Sequence, residues 1–243
     1  MNLVDCYKRD GYVVLPNAVP ESIMPRDKNS VHKQLKIFHN QSIERYLSYV
    51  RTVSKLLTVM QVFQAPAIQR FAEGVGIMLP LMQTTPAVHV MADDLKIPGG
   101  YDGIGAHQDW PAIQSSLNTM VVWVPWFDVG HDNYPVELVA GSHLNGLLAA
   151  QAGQHISEID DAGMEFTPVP VKRGEALLFS AFTVHRTRKL GHGFRIAFSH
   201  RYEDALAPDF IERGFPSAQS RVIRRELITP DWPPVEDVQK VFA

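Results

Sequence analysis

Between about residues 86 and 205 the chain is a succession of short β-branched and aromatic runs: "AVHVMADDL", "NTMVVWVPWFDV", "PVELVA", "EFTPVPV", "EALLFSAFTVHRT" and "FRIAFSHRY". Gly, Pro, Asn or Asp punctuates them. Short strands closed by turn residues at this density point to an all-β sandwich or barrel.

The flanks have a different texture. "GYVVLPNAVP" (11–20) reads as a short strand closed by Pro16 and Pro20. From Val31 to about Met60, Leu35, Ile37, Phe38, Ile43, Tyr46, Leu47 and Val50 make an apolar stripe at helical spacing. "PAIQRFAEGVGIML" (66–79) opens with proline at a helix start and runs into glycines. The stretch 144–165 reads as a surface excursion holding a short helix. "SAQSRVIRREL", "PDWPP" and "VEDVQKVFA" return to helix or coil. A length of 243 residues fits one domain over 1–243. The expected division is a helical N-terminal support (about 1–84), a β-barrel core (about 85–205) and a helical or coil C-terminal segment (about 206–243).

Composition narrows the partners. The formal net charge is −3 and there is no long Lys/Arg block, which argues against nucleic acid. No apolar run has the length of a membrane span. "MNLVDCYKRDGYVVLP" interleaves acids and bases and does not read as a secretory signal. A cytoplasmic location is expected. Cys6 is the sole cysteine, so a bound metal must take His and carboxylate ligands. Oligomeric state is not legible.

One segment concentrates polar chemistry: "GIGAHQDWPA" (103–112), with His107 and Asp109 two positions apart. On a strand these two side chains face one way and Gln108 the other. Two ligands on one extended segment can occupy neighbouring corners of a metal's coordination sphere. Two polar core residues are the plainer alternative. A third ligand would have to come from elsewhere, and His185, ending the apolar "LLFSAFTVHRT", is the best placed. A buried core histidine is the alternative there too. Two histidines and one carboxylate with open positions make the facial triad of non-haem Fe(II) oxygenases. Arg195 lies ten residues further on, flanked by Phe194, Ile196 and Phe198. Turned inward, its guanidinium must be paired, either with a ligand carboxylate or with one of the 26 acidic residues.

Taken together, these residues resemble the phytanoyl-CoA dioxygenase-like Fe(II)/2-oxoglutarate oxygenases. "YKRDGYVVLPNAVP" resembles that family's opening, "AHQDWP" its H-x-D segment and "VVWVPWFDV" the strand that follows. "YPVELVAGSH" resembles its Gly-Ser-His turn, "KRGEALLFSAFTVHRT" the strand pair delivering the second histidine, and "FRIAFSHRY" its arginine strand. "DNYPVE" and "AGSH" depart from the usual Asn-Gly and Pro-Gly-Ser-His of one structural turn.

The resemblance implies a double-stranded β-helix, a cupin-like jelly-roll barrel with N-terminal helices packed on one face. It implies catalytic iron ligands at His107, Asp109 and His185, with Fe(II) as the metal. The co-substrates would be O2 and 2-oxoglutarate, the latter anchored by Arg195 and lined by Trp123 and Thr187. Asp109 speaks against the halogenating branch, in which a small residue vacates that position for halide. The implied reaction is hydroxylation of a small molecule with release of succinate and CO2. Desaturation, cyclisation or epimerisation at the same iron is the alternative. A cupin-like metal-binding or sensor protein without turnover is the rival from another class, and it has no use for Arg195.

Substrate contacts are expected from Trp110 and Gln114, in a loop able to reach over the mouth, although Trp110 can equally pack against helices. Arg186, in "HRTRK", can meet an anionic group or be a solvated strand end. With Gln114, Ser115, Ser116 and Arg188 it leans the substrate toward polar or anionic. The glycine-rich "KIPGGYDGIG" (96–105) reads as a lid or an ordinary flexible loop.

Overall fold

The computed structural model describes residues 2–82, 86–95, 103–152, 157–188, 191–207, 209–213 and 233–243. The run read at 217–227, His155 and the 96–102 part of the suggested lid lie outside the described residues. The chain opens with α1 (Leu3–Asp10), β1 (Tyr12–Leu15), α2 (Lys28–Gln41), α3 (Ile43–Val53), α4 (Leu57–Val62) and α5 (Pro66–Gly74). Then come β2 (Pro80–Met82), β3 (Ala87–Ala92), the short α6 (Trp110–Ile113), β4 (Met120–Pro125) and β5 (Val136–Leu138). A 3-10 turn (Ser142–Asn145) leads to a small hairpin, β6 (Gln151–Ala152) and β7 (Ser157–Glu158). The remaining elements are β8 (Thr167–Val169), β9 (Ala176–Ser180), β10 (His185–Thr187), β11 (Phe194–Asp204), α7 (Asp209–Glu212) and α8 (Val235–Phe242).

Two antiparallel sheets face each other. The larger runs β1-β9-β4-β11, with β3 and β2 sharing the far edge of β11. The smaller runs β10-β5-β8. Paired backbone bonds between His107 and His185, and one from Thr187 N–H to the Ile104 carbonyl, add residues 104–107 as its outer edge. Taken as β3, 104–107, β4, β5, β8, β9, β10 and β11, the chain winds between the sheets as a double-stranded β-helix, the jelly roll.

Burial explains why the strands look as they do. Every position of β4 and β9 is buried, so both read as near-continuous apolar runs rather than alternating ones. Val121 and Trp123 of β4 face the barrel cavity. Alternation turns Val122 and Val124 to the other face, where the helices pack. There Phe63, at the end of α4, meets His200 edge-on at 5.3 Å, and His32 of α2 stacks on Phe194 at 3.9 Å. One apolar cluster joins helices and sheets. A small second cluster, Ala106, Ile159 and Val184, lies under the 144–165 excursion.

Two local readings are corrected. The stripe from Val31 to Met60 is three helices: Ser42 is extended (φ −167°, ψ 153°) and caps α3 by accepting from Arg45 N–H. The helix that opens at Pro66 ends in the glycines as expected, at Gly74, with Gly76 following in the left-handed region (φ 92°). Among the described residues of the excursion, helix is confined to the 3-10 turn at its start (Ser142–Asn145), where buried His143 bonds the Lys8 carbonyl at 3.0 Å. Among the described residues no helix is long and apolar enough to cross a membrane.

Candidate metal centre

His185 and Thr187 face inward from β10 by simple alternation. His107 stands opposite His185 across the backbone bridge, with ring centroids 4.0 Å apart. Asp109 arrives differently from the expectation of one strand face. It has already left the extended conformation (φ −76°, ψ −26°) and begins α6, whose first turn contains Pro111. The side chains still converge. Gln108 turns away as expected and is fixed by Gly146 and Phe182 carbonyls and the Leu148 N–H. That anchor holds the turn between the two ligand candidates.

The donor atoms of His107, Asp109 and His185 all lie within 4.8 Å of one another, in buried surroundings. Asp109 Oδ1 is 3.5 Å from His107 Nε2 and 3.8 Å from His185 Nε2. Each imidazole bonds a backbone carbonyl through Nδ1, His107 to Gly105 (2.7 Å) and His185 to Thr183 (2.9 Å). A carbonyl only accepts, so both Nδ1 atoms carry the proton and both Nε2 lone pairs point at the shared centre. Burial, and next the neighbouring His107, push the His185 imidazole down to about 3, so it is neutral and able to ligate. Burial alone would raise the Asp109 carboxyl; the Arg201 guanidinium outweighs it and holds Asp109 well below the usual carboxylate range. The set fits a divalent metal: two neutral nitrogens and one anionic oxygen, oriented by partners behind them.

Arg201 went unnoticed in the sequence. Its Nε and Nη2 donate to Asp109 Oδ2 at 3.0 and 2.7 Å, leaving Oδ1 to the centre. The signal was parity: Arg195, Ser199 and Arg201 are separated by even steps on one strand, so all three face the cavity. His89, read as a core or rim residue, also faces it and bonds Ser199 Oγ at 2.8 Å. Burial, then Arg195 and Arg201, push His89 down to about 3.

The other expected residues divide. Arg195 is 1% exposed, faces the cavity, donates Nη1–H to the Tyr134 carbonyl (2.5 Å) and stands 5.7 Å from the Trp123 ring. Trp123 and Thr187 line the same cavity. Arg186 reaches its edge, but cross-strand Glu137 and Asp161 pair it at 2.8 and 2.6 Å, and it lies over Phe166. Trp110 and Gln114 are not brought to the cavity. Trp110 is fully buried and stacks on Phe182 at 5.4 Å; Gln114, buried at the end of α6, bonds the Pro111 carbonyl. The turn into α6 rotates both behind Asp109.

A jelly roll with a two-histidine, one-carboxylate centre at its inner wall defines the class of non-haem iron oxygenases. The chain belongs to the phytanoyl-CoA dioxygenase (PhyH) family, whose model matches residues 7–197. Iron- and 2-oxoglutarate-dependent oxygenase-type chemistry goes with that membership and this donor set. Solved structures with the same fold include the epimerase SnoN in complex with Fe3+, alpha-ketoglutarate and nogalamycin RO (19% identity, 94% of this chain and 95% of that one, TM-score 0.61). The non-heme monooxygenase ThoJ is similar at 18% identity over 84% and 77% of the two chains, with a TM-score of 0.61. The alpha ketoglutarate dependent carbocyclase SnoK, from nogalamycin biosynthesis, is similar at 17% over 94% and 93%, with a TM-score of 0.54. No curated protein matches the chain.

Proposed function

We propose that this chain is an Fe(II)- and 2-oxoglutarate-dependent oxygenase that hydroxylates a small molecule and releases succinate and CO2. The observation that carries this reading is the convergence of three oriented donor atoms with Arg195 on the same cavity wall. His107 and His185 hold the metal through Nε2 and Asp109 through Oδ1. Arg195 would pair with the distal carboxylate of 2-oxoglutarate, and Trp123 and Thr187, which line the same cavity, would flank it. Bound Fe(II) with 2-oxoglutarate supplies the oxidising power when O2 is present.

The protein's own part is orientation and exclusion of water. The Gly105 and Thr183 carbonyls fix the imidazole tautomers, so no rearrangement is needed to accept the metal. Arg201 keeps Asp109 ionised and presents one oxygen. Val121, Val136 and Phe179 give the cavity apolar walls.

The epimerase SnoN and the carbocyclase SnoK, which share this fold, favour a second reading, in which the same centre epimerises or cyclises its substrate without adding oxygen. Product analysis separates the two. Under 18O2, hydroxylation puts one labelled oxygen into the product for each succinate formed. Succinate formed with an unlabelled, rearranged or desaturated product would replace hydroxylation by the second reading.

A further inference from the structure

The inner wall of β11 carries two guanidinium groups, and the co-substrate of the proposed reaction needs only one. Arg195 is assigned to 2-oxoglutarate. Arg201 faces the same cavity with 24% of its side chain exposed. Its bonds account for three of the five N–H donors of a guanidinium. Nε–H and one Nη2–H go to Asp109 Oδ2, and one Nη1–H goes to Ser199 Oγ at 3.3 Å. One N–H on Nη1 and one on Nη2 therefore remain, next to the carboxylate whose other oxygen faces the metal position.

The charges at these donors favour an anion. Among the described residues lining the cavity, Arg186, Arg195 and Arg201 are cationic and Asp109 is anionic. Arg186 is already matched by Glu137 and Asp161 outside the lining. A guanidinium hydrogen bond to an ionised acceptor is roughly twice as strong as one between neutral groups, so the two spare donors of Arg201 are best satisfied by a second carboxylate. The leftover donors sit on two adjacent nitrogens, the arrangement that takes a planar two-oxygen group bidentately.

We propose that the substrate of this centre carries a carboxylate, and that Arg201 receives it beside the open coordination positions. The proposal rests on the oxygenase reading above and adds the substrate's chemical class and its anchor. It also moves the anionic contact from Arg186, whose charge is matched, to Arg201. One guanidinium then touches both the metal's carboxylate ligand and the substrate, so binding of the acid is felt at the metal.

The test uses the anaerobic complex of the full chain with saturating Fe(II) and 2-oxoglutarate, followed by its visible charge-transfer band and by its unfolding temperature. Matched probes are added: hexanoate and hexanamide, phenylacetate and phenylacetamide, N-acetylalanine and its amide. At least one acid is expected to shift the band at a concentration about tenfold lower than its amide, and to raise the unfolding temperature. In Arg201→Gln, with metal again saturating, that acid's preference over its amide is expected to fall below about threefold. Equal action of acid and amide, no action by any acid, or the same acid preference in Arg201→Gln would overturn the proposal. Loss of the band instead of a shift would also overturn it, because it marks displacement of 2-oxoglutarate. Absence of the band before any probe is added sinks the oxygenase reading itself and is distinguishable from these. The acid–amide comparison is made within the unmodified protein, so it holds whatever Arg201→Gln does to folding.

Discussion

The two ends of the cavity are each held by an arginine of one strand, and they are built differently. Arg195 is sealed from solvent, bonded to the neutral Tyr134 carbonyl and set beside the Trp123 indole. Arg201 is partly exposed and bonded to the Asp109 carboxylate. The same side chain at an even spacing on one face thus does two jobs. At one end a desolvated guanidinium bonds a backbone carbonyl and faces the cavity, where the proposed function gives it the distal carboxylate of 2-oxoglutarate. At the other it fixes a metal ligand and keeps spare donors turned to the cavity. Chain position chooses the face; the neighbour decides the role.

Substitutions at the two ends should come apart accordingly. Asp109→Ala strikes hardest, because it removes the only anionic donor of the triad and leaves Arg201 without its carboxylate. Metal binding, followed by Co(II) absorbance, is expected to be lost, with a stability cost of about 3 kcal/mol in the metal-free protein. Arg195→Ala is expected to raise the KM for 2-oxoglutarate by about a hundredfold, from loss of a buried charge pair, with metal affinity changed less than about threefold. Equal loss of both would make Arg195 structural and erase the contrast. Arg201→Met should show the opposite split, weakening Co(II) binding by about tenfold to a hundredfold, as removal of a ligand's supporting partner does.

Smaller effects sharpen the same contrast. A Cβ on Gly191 would lie 2.6 Å from the Tyr134 backbone nitrogen. Gly191→Ala therefore shifts the segment whose carbonyl holds Arg195. A rise of about threefold to tenfold in the KM for 2-oxoglutarate is expected, with Co(II) affinity intact. His89 reports its burial and, after that, the field of both arginines. With its folded pKa depressed to about 3 from 6.5, the fold binds its proton only at much lower pH than the unfolded chain does. Stability of the metal-free protein therefore falls as pH drops from about 6.5 toward 3, by at most about 1.4 kcal/mol per pH unit from this group. Asp109, depressed in the fold, adds to the loss only below the ordinary carboxylate range. His89→Leu should flatten the upper part of that profile in a urea-unfolding series.

Much of the β core was legible because short apolar strands with turn residues admit few architectures, and His185 and Arg195 lay in the plainest of them. What was missed lay where the chain leaves regular structure or where two elements meet. Asp109 was expected on a strand face, but the Trp110–Pro111 step had already begun a helix. That same turn carries Trp110 and Gln114 away from the cavity, which no periodicity reveals. The helix-like stripe from Val31 to about Met60 hid the break at Ser42, a capping residue in mid-stripe. Arg186 looked available because Glu137 and Asp161 are 49 and 25 residues away in sequence. Arg201 was the avoidable omission, since counting by twos from Arg195 finds it.

The central claim is that His107, Asp109 and His185 hold Fe(II) while 2-oxoglutarate reaches the metal and Arg195 together. Anaerobic addition of Fe(II) and 2-oxoglutarate to the purified protein tests it directly through the visible absorption of the chelate. The account predicts a band that forms in the unmodified chain, requires both additions and disappears in His107→Ala. A chain that binds Fe(II) yet never develops the band, or a band that survives His107→Ala, would contradict it.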